Sequence, residues 1–157
     1  KGVNIDTLIH GGGQERSRRA GTENLYGIVG LAAAMENAYA HLDEDKIYIQ
    51  GLKKYLFTGL ERLFTDIQIN GTLNQENTLY TVLNVSFPPD DRGPLVLFNL
   101  DMEGISVSGG SACSSGASKG SHVIQALNKA EDRISIRFSF SKYTTKQEID
   151  VVVDYLK

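Results

Sequence analysis

The chain has 157 residues and a mass of 17.2 kDa, the length of one domain or of one domain with part of a neighbour. Lys and Arg number 16 against 19 Asp and Glu, and this net charge of −3 argues against a general nucleic-acid or membrane-surface binder. The longest nearly apolar run, Gly27–Met35, is too short to span a bilayer. One cysteine excludes an intrachain disulfide, and a start at Lys1, just before a strand-like stretch, leads us to expect part of a larger protein.

The first part of the chain predicts an entry strand, a loop and two helices. Val3–Ile9 is half apolar and bounded by glycines, which favours a strand. His10–Asn24 holds four glycines and three arginines without hydrophobic periodicity, so it predicts a loop. Thr22 is the expected N-cap of a helix that reaches about His41. A second helix, over Asp43–Phe64, repeats the helical spacing of apolar residues.

The rest of the chain alternates between short strands and helices. Strands are predicted where apolar and polar residues alternate, and helices where apolar residues recur every three or four positions. The strands are Ile67–Asn70, Asn77–Phe87, Ile105–Val107 and Arg133–Phe140, and the helices are Gly93–Glu103, His122–Asn128 and Thr144–Lys157. In the last helix Thr145 and Glu148 have the spacing of a capping box. This order predicts an α+β fold in which helices cover a small mixed or antiparallel sheet.

The lone cysteine lies in a loop of small polar residues. Ser106–Ser121 has seven serines and four glycines in sixteen residues, and Cys113 is near its centre. A structural cysteine is usually buried among apolar residues, whereas a reactive one needs access and a nearby positive charge. The loop gives access, and Lys119 is a candidate for the charge. The alternative is an incidental exposed thiol, and composition does not separate the two.

Two glycine-rich motifs support a competing hypothesis, a serine hydrolase. His10–Gly13 matches an oxyanion-loop pattern, and Gly116–Gly120 matches G-x-S-x-G around Ser118. The order of residues argues against it, because the histidine after Ser118 is His122, four residues on, with no acid between them. One cysteine and three distant histidines likewise argue against a zinc site, so no metal is expected.

Arginines mark two further candidate sites. Gln14–Asn24 places three arginines before a helix start, which suits an anion; the alternative is a solvated loop whose arginines pair with neighbouring glutamates. Arg137 lies in an otherwise apolar strand, where it pairs with a buried acid, clamps a carboxylate or faces solvent beside Ser135 and Ser139. Periodicity alone does not decide between these interpretations.

Three separated motifs together resemble one family, the NifS/IscS-type cysteine desulfurases. These belong to the class V branch of the pyridoxal-phosphate enzymes of fold type I. The motifs are HGGGQERSRRAGTEN at His10–Asn24, GGSACSSGASKGS at Gly109–Ser121 and ISIRFSFSKYTTKQEID at Ile134–Asp150. The resemblance covers nearly the whole chain in the right order, which is more specific than any single motif.

The resemblance implies a reaction and a role for three residues. Members of the family convert L-cysteine to L-alanine with pyridoxal 5'-phosphate and hold the sulfur as a persulfide for iron–sulfur cluster or thio-cofactor assembly. Cys113 matches the persulfide cysteine and catalytic nucleophile, Arg137 the arginine that binds the substrate carboxylate, and Thr22 a residue that reaches the cofactor phosphate of the neighbouring subunit. A cytoplasmic homodimer is implied, with a sulfur-acceptor or scaffold protein as partner, no membrane, and no nucleic acid beyond a tRNA-thiolation pathway.

One part of the family's pattern has no match in this chain. The Schiff-base lysine lies in a histidine-lysine motif followed by G-P-K-G, which would precede Lys1. We therefore expect a C-terminal fragment, inactive alone and without covalently bound cofactor. In it, residues 1–42 would end the large cofactor-binding domain with a bridging helix, and residues 43–157 would be the small domain carrying the cysteine loop at about 106–121. The alternatives are a non-catalytic sulfur-carrier module and a related class V enzyme such as a selenocysteine lyase.

Overall fold

The computed structural model describes residues 2–3, 6–74, 78–89, 95–109, 121–127 and 133–157. Over these residues the elements are α1 (Gln14–Ser17), α2 (Leu25–Ala40), α3 (Leu42–Leu63), β1 (Gln68–Ile69), β2 (Val82–Phe87), α4 (Val96–Met102), α5 (His122–Gln125), β3 (Ile134–Ser139) and α6 (Lys146–Tyr155). The chain divides into two compact units, Lys1–Leu42 and Asp43–Lys157. None of the described helices is both long and apolar enough to cross a membrane.

The first unit holds α1 and α2. In α1, three consecutive non-glycine residues, Glu15, Arg16 and Ser17, have φ between 49° and 63°, so this turn is left-handed. The helix α2 has one charged residue in sixteen, Glu36, and yet its apolar side chains are exposed. A helix that is apolar on all sides is normally buried.

The second unit is built on a three-stranded antiparallel sheet in the order β1-β2-β3. The sheet has one apolar face, because the inward side chains of β2 and β3 alternate with polar ones. The buried side chains of this face are Leu83, Val85, Phe87, Ile136 and Phe138. The confirmed α+β fold is therefore a small antiparallel sheet with helices against one face.

Two long helices supply the other half of the core. The buried side chains of α3 recur at helical spacing and form one stripe, and they are Ile49, Leu52, Lys53, Leu56, Phe57 and Leu60. Ile149 of α6 joins the same core. The capping box predicted for α6 is confirmed, since Thr145 Oγ1 accepts from the Glu148 amide and the Glu148 carboxylate accepts from the Thr145 amide.

Several local predictions were wrong. The N-cap of α2 is Asn24, whose side chain accepts from the Gly27 amide at 3.0 Å, and not Thr22. The described residues of Val3–Ile9 form no strand, and Ile105–Val107 forms none either. In neither place do the described backbone groups form a ladder with another strand, and after Ile105–Val107 the pairing is the single bridge between Ser108 and Arg137.

Candidate functional site

Arg137 lies on the polar face of the sheet, opposite the core. Ser135 and Ser139 share this face with it, as the alternation predicted, while Ile136 and Phe138 point into the core. Its side chain is exposed, and within the described residues its guanidinium has no hydrogen bond or ion pair. The sequence left open whether Arg137 pairs with a buried acid. Among the described residues it does not.

The backbone of Arg137 is paired with the start of the cysteine loop. The Arg137 amide donates to the Ser108 carbonyl at 2.7 Å, and the Ser108 amide donates to the Arg137 carbonyl at 3.1 Å. This antiparallel bridge continues the sheet beyond β3 by one residue. The bridge fixes the place at which the chain leaves the sheet toward Cys113.

Four polar side chains on the same face form a closed hydrogen-bond network. The side-chain nitrogen of Asn70, Nδ2, donates to Asn84 Oδ1 at 2.9 Å and to Ser135 Oγ at 3.2 Å. Ser86 Oγ donates to Asn70 Oδ1 at 2.9 Å, and the two serine oxygens are 2.8 Å apart. Since Ser86 uses its proton on Asn70, the hydroxyl of Ser135 donates to Ser86. The network therefore ties all three strands together beside Arg137.

A second arginine, Arg133, holds the edge of the sheet at the start of β3. Its Nη1 donates to Asp66 Oδ2 at 2.6 Å, and its Nη2 donates to the carbonyls of Asp66 and Ser86. The Arg133 guanidinium keeps the pKa of the Asp66 carboxyl below its usual value, chiefly through the hydrogen bond to it. With its side chain 6 % exposed, Arg133 supports the fold and does not present its charge to a ligand.

Lys53 lies on α3 and is buried. A lysine is almost never fully buried unless it has a partner. Its Nζ donates to Thr78 Oγ1 at 3.0 Å and to the Leu79 carbonyl at 3.2 Å. Burial lowers the pKa of Lys53. These bonds join α3 to the segment that leads into β2, which is a structural role.

Thr22 lies in the first unit, two residues before the N-cap of α2. Its side chain is exposed, and no described residue bonds to its hydroxyl. Of the nearby arginines, Arg19 bonds to Glu23 at 2.8 Å and lies 3.6 Å from Glu15, so for this residue the solvated-loop interpretation is confirmed. Arg16 and Arg18 are exposed and have no ion pair among the described residues. A hydroxyl without a described partner and exposed arginines four and six residues earlier in the chain are donor types that suit a phosphate.

The cysteine itself is not placed by the structure. Cys113, together with Ser118 and Lys119, falls in residues 110–120, which lie outside the described residues. The roles of Cys113, Arg137 and Thr22 accordingly stay predictions at this point.

Comparison with known proteins identifies the family. The model of the class-V aminotransferase family matches residues 4–152. The chain belongs to this family. Its class-V domain is similar to the cysteine desulfurase IscS of Dictyoglomus turgidum, with 40 % identity over 159 residues, covering 100 % of this chain and 40 % of the relative. It is also similar to the cysteine desulfurase NifS of Azotobacter vinelandii, with 36 % identity, 98 % of this chain and 38 % of the relative. The resemblance to NifS/IscS-type desulfurases is thus confirmed.

Solved structures agree with this assignment. A protein described as NifS-like has a TM-score of 0.78 and 38 % identity, covering 99 % of the class-V chain and 39 % of its own chain. A NifS-like protein from Rickettsia africae has a TM-score of 0.73 and 28 % identity, covering 98 % and 39 %. The chain therefore spans about two fifths of the length of the relatives it matches.

Two residues of this face were not found from the sequence. Asn84 and Ser108 flank Arg137 on its two sides, from β2 and from the start of the cysteine loop. The signal for Asn84 was its outward position in an alternating strand, but alternation gives no register, and the register is what puts it opposite Arg137.

Proposed function

We propose that this class-V chain is the C-terminal part of a cysteine desulfurase that converts L-cysteine to L-alanine and keeps the sulfur as a persulfide on Cys113. The sulfur then passes to an acceptor or scaffold protein for iron–sulfur cluster or thio-cofactor assembly. The full-length protein is a cytoplasmic homodimer. The curated relatives named above are cysteine desulfurases, and this supports the proposed reaction. The chain covers only part of the length of these relatives.

The observation that carries the proposal is the bridge between Ser108 and Arg137. It brings the segment leading to Cys113 against the arginine expected to hold the substrate. Cys113 follows Ser108 by five residues, and five residues span at most about 18 Å. The chain length therefore permits Cys113 to approach the sulfur of a cysteine whose carboxylate is held by Arg137.

Each residue has a distinct role in the proposed reaction. The guanidinium of Arg137 pairs with the substrate carboxylate and fixes its orientation. The thiolate of Cys113 attacks the substrate sulfur, so an S–S bond forms as the C–S bond breaks. The electron pair of the broken bond stays on carbon, which takes a proton to give alanine. No external oxidant is needed, because the carbon is reduced as the sulfur is oxidised.

The cofactor is proposed to be pyridoxal 5'-phosphate. When bound, it supplies the electron sink that permits chemistry at the substrate's carbon atoms. Thr22, whose hydroxyl has no partner among the residues that the structure describes, would bind the cofactor phosphate of the neighbouring subunit. The lysine that binds the cofactor would precede Lys1, so this chain alone would not bind it covalently.

The exposed apolar surface of α2 supports the proposed domain assignment. Residues 1–42 would belong to the large domain, whose other segments would cover Leu25, Ile28 and Met35. Residues 43–157, which have their own core, would be the small domain.

The test compares the full-length protein with this chain alone, measuring alanine release from L-cysteine and persulfide on Cys113 by mass spectrometry. The full-length protein is expected to produce alanine and to lose this activity in Cys113→Ser, while the chain alone produces none. A full-length protein inactive on cysteine, or an active Cys113→Ser variant, would contradict the proposal. Labelling of Cys113 only when another enzyme supplies persulfide would indicate a sulfur carrier, and strong preference for selenocysteine would indicate a lyase for that substrate.

A further inference from the structure

We propose that Asn84 is a second substrate-binding residue, whose side-chain amide donates to the same carboxylate as the guanidinium of Arg137. This inference rests on the proposed function, because the carboxylate is that of the amino-acid substrate. It assigns a role to a residue outside the three motifs that carry the family resemblance.

The register of the sheet places the two residues directly opposite each other. Asn84 of β2 pairs with Arg137 of β3. The backbone groups of Arg137 bond to Ser108, and the carbonyl of Asn84 accepts from the Asn70 amide, so both residues turn their backbone bonds away from each other. They therefore form a non-hydrogen-bonded pair, in which Cα atoms are about 4.5 Å apart and the side chains are closest.

Both side chains point to the same face. Leu83 and Val85, on either side of Asn84, are buried in the core, as are Ile136 and Phe138 around Arg137. Asn84 and Arg137 consequently project together from the opposite, polar face of the sheet.

The network determines which end of the Asn84 amide is available. Its Oδ1 is occupied by the donation from Asn70 at 2.9 Å, and Asn70 is itself held by Ser86 and Ser135. Its Nδ2 has no acceptor among the described residues. Two donors that have no acceptor in the described part of the chain, the side-chain amide of Asn84 and the guanidinium of Arg137, thus lie on neighbouring strands at the same register position.

This pair has the chemistry of an anion site. An arginine and an amide N–H offer donors only, and no described carboxylate pairs with Arg137. A carboxylate has two oxygens with several lone pairs, so it can accept from both residues at once. A neutral group would gain far less from the guanidinium, so the pair selects for the anionic end of an amino acid.

Three variants of the full-length protein test the inference. Asn84→Ala removes the donor, and we expect KM for L-cysteine to rise about tenfold with kcat changed less than about twofold. Asn84→Asp keeps an oxygen for Asn70 but replaces the donor by a negative charge, so KM is expected to rise further. Ser139→Ala, on the same face two residues beyond Arg137, is the matched control and is expected to leave both constants unchanged.

The control for folding is the bridge between Ser108 and Arg137. Protection of these two amides from hydrogen exchange is expected to be equal in the wild type and in Asn84→Asp. An unchanged KM in Asn84→Ala, a fall in kcat alone, or a KM in Asn84→Asp no higher than in Asn84→Ala would overturn the inference.

A direct binding measurement separates this inference from the proposed function. Acetate is titrated into this chain while NMR follows the side-chain signals of Asn84 and Arg137, with acetamide as the neutral probe. Both signals are expected to shift with acetate and not with acetamide. Movement of the Arg137 signal alone would refute the role of Asn84, whatever activity the full-length protein has. If the full-length wild type does not turn over cysteine while both signals shift, the proposed function is refuted and the role of Asn84 as an anion-binding residue is not.

Discussion

Both units of the chain contain a long helix, but they differ in how the apolar side chains of that helix are used. In the second unit, α3 alternates buried and exposed positions and places Leu52, Leu56 and Leu60 in a core with the sheet. In the first unit, Tyr26 and Leu31 of α2 are 94 % and 63 % exposed, and Ala20 is the one buried apolar residue among those described.

From this difference we expect the second unit to be stable by its own contacts and the first to depend on contacts with other protein segments. Burial of apolar surface provides most of the folding free energy, and the first unit has little of it. Its left-handed turn at Glu15–Ser17 costs about 1–2 kcal/mol per residue. The first unit is therefore expected to acquire its stability from protein outside this chain.

The largest effect is expected when the two units are produced as separate peptides. A peptide of residues 43–157 is expected to unfold cooperatively, and a peptide of residues 1–42 to show little helix, since isolated helices the length of α2 are marginal in water. Far-UV circular dichroism with thermal denaturation measures both. A helical, cooperatively melting 1–42 peptide would refute the contrast.

A matched pair of leucine substitutions measures the contrast at single residues. Leu60→Ala, at a fully buried site, is expected to lower the free energy of unfolding by about 2–5 kcal/mol, because it leaves a cavity in the core. Leu31→Ala, on exposed α2, should change it by less than about 0.5 kcal/mol. Urea denaturation of the 157-residue chain gives both values. Equal losses would show that α2 contributes to the same core.

The helix caps provide a smaller comparison. Thr145→Ala breaks the capping box of α6 and is expected to cost about 1 kcal/mol, with Thr145→Ser as the conservative control. Asn24→Ala removes the cap of α2 and should leave the unfolding midpoint of the chain unchanged, because α2 has no buried residue. A similar fall in midpoint for both alanine variants would contradict this.

The smallest expected effect is a change in how the stability of the second unit depends on acid pH. Arg133 lowers the pKa of Asp66 in the folded state, so the folded protein binds fewer protons at this site than the unfolded chain. The stabilisation is present above the unfolded pKa and is lost as pH falls through the folded pKa. Asp66→Asn should therefore lose less stability than the wild type between pH ~7 and ~3.

The control for this pH effect is Asp101→Asn, an exposed carboxylate of α4. Urea midpoints of the wild type and both variants are measured across the same pH range. If Asp66→Asn keeps the full acid sensitivity of the wild type, the ion pair with Arg133 does not contribute to it.

Local patterns predicted most of the second unit. The helices α3 and α6 were found within about two residues of their ends, because buried positions recur at a fixed spacing on each. The strands β2 and β3 were found through alternation, although β2 begins at Val82 and not at Asn77. Residues 78–81 include apolar side chains in a segment that turns before the strand, and alternation alone does not mark where pairing starts.

The sequence by itself determined the family motifs and the amphipathic elements, because these depend on residue type and short spacing. The candidate roles of Cys113, Arg137 and Thr22 are what the resemblance to the family implies, and they stay predictions. The tertiary structure decided which distant residues meet. Asn70 lies 14 residues from Asn84 and 65 from Ser135, and Arg133 lies 67 from Asp66. Such contacts depend on strand register, which is set by the packing of the whole sheet against α3 and α6. That register puts Asn84 beside Arg137, and no local pattern in the chain could have done so.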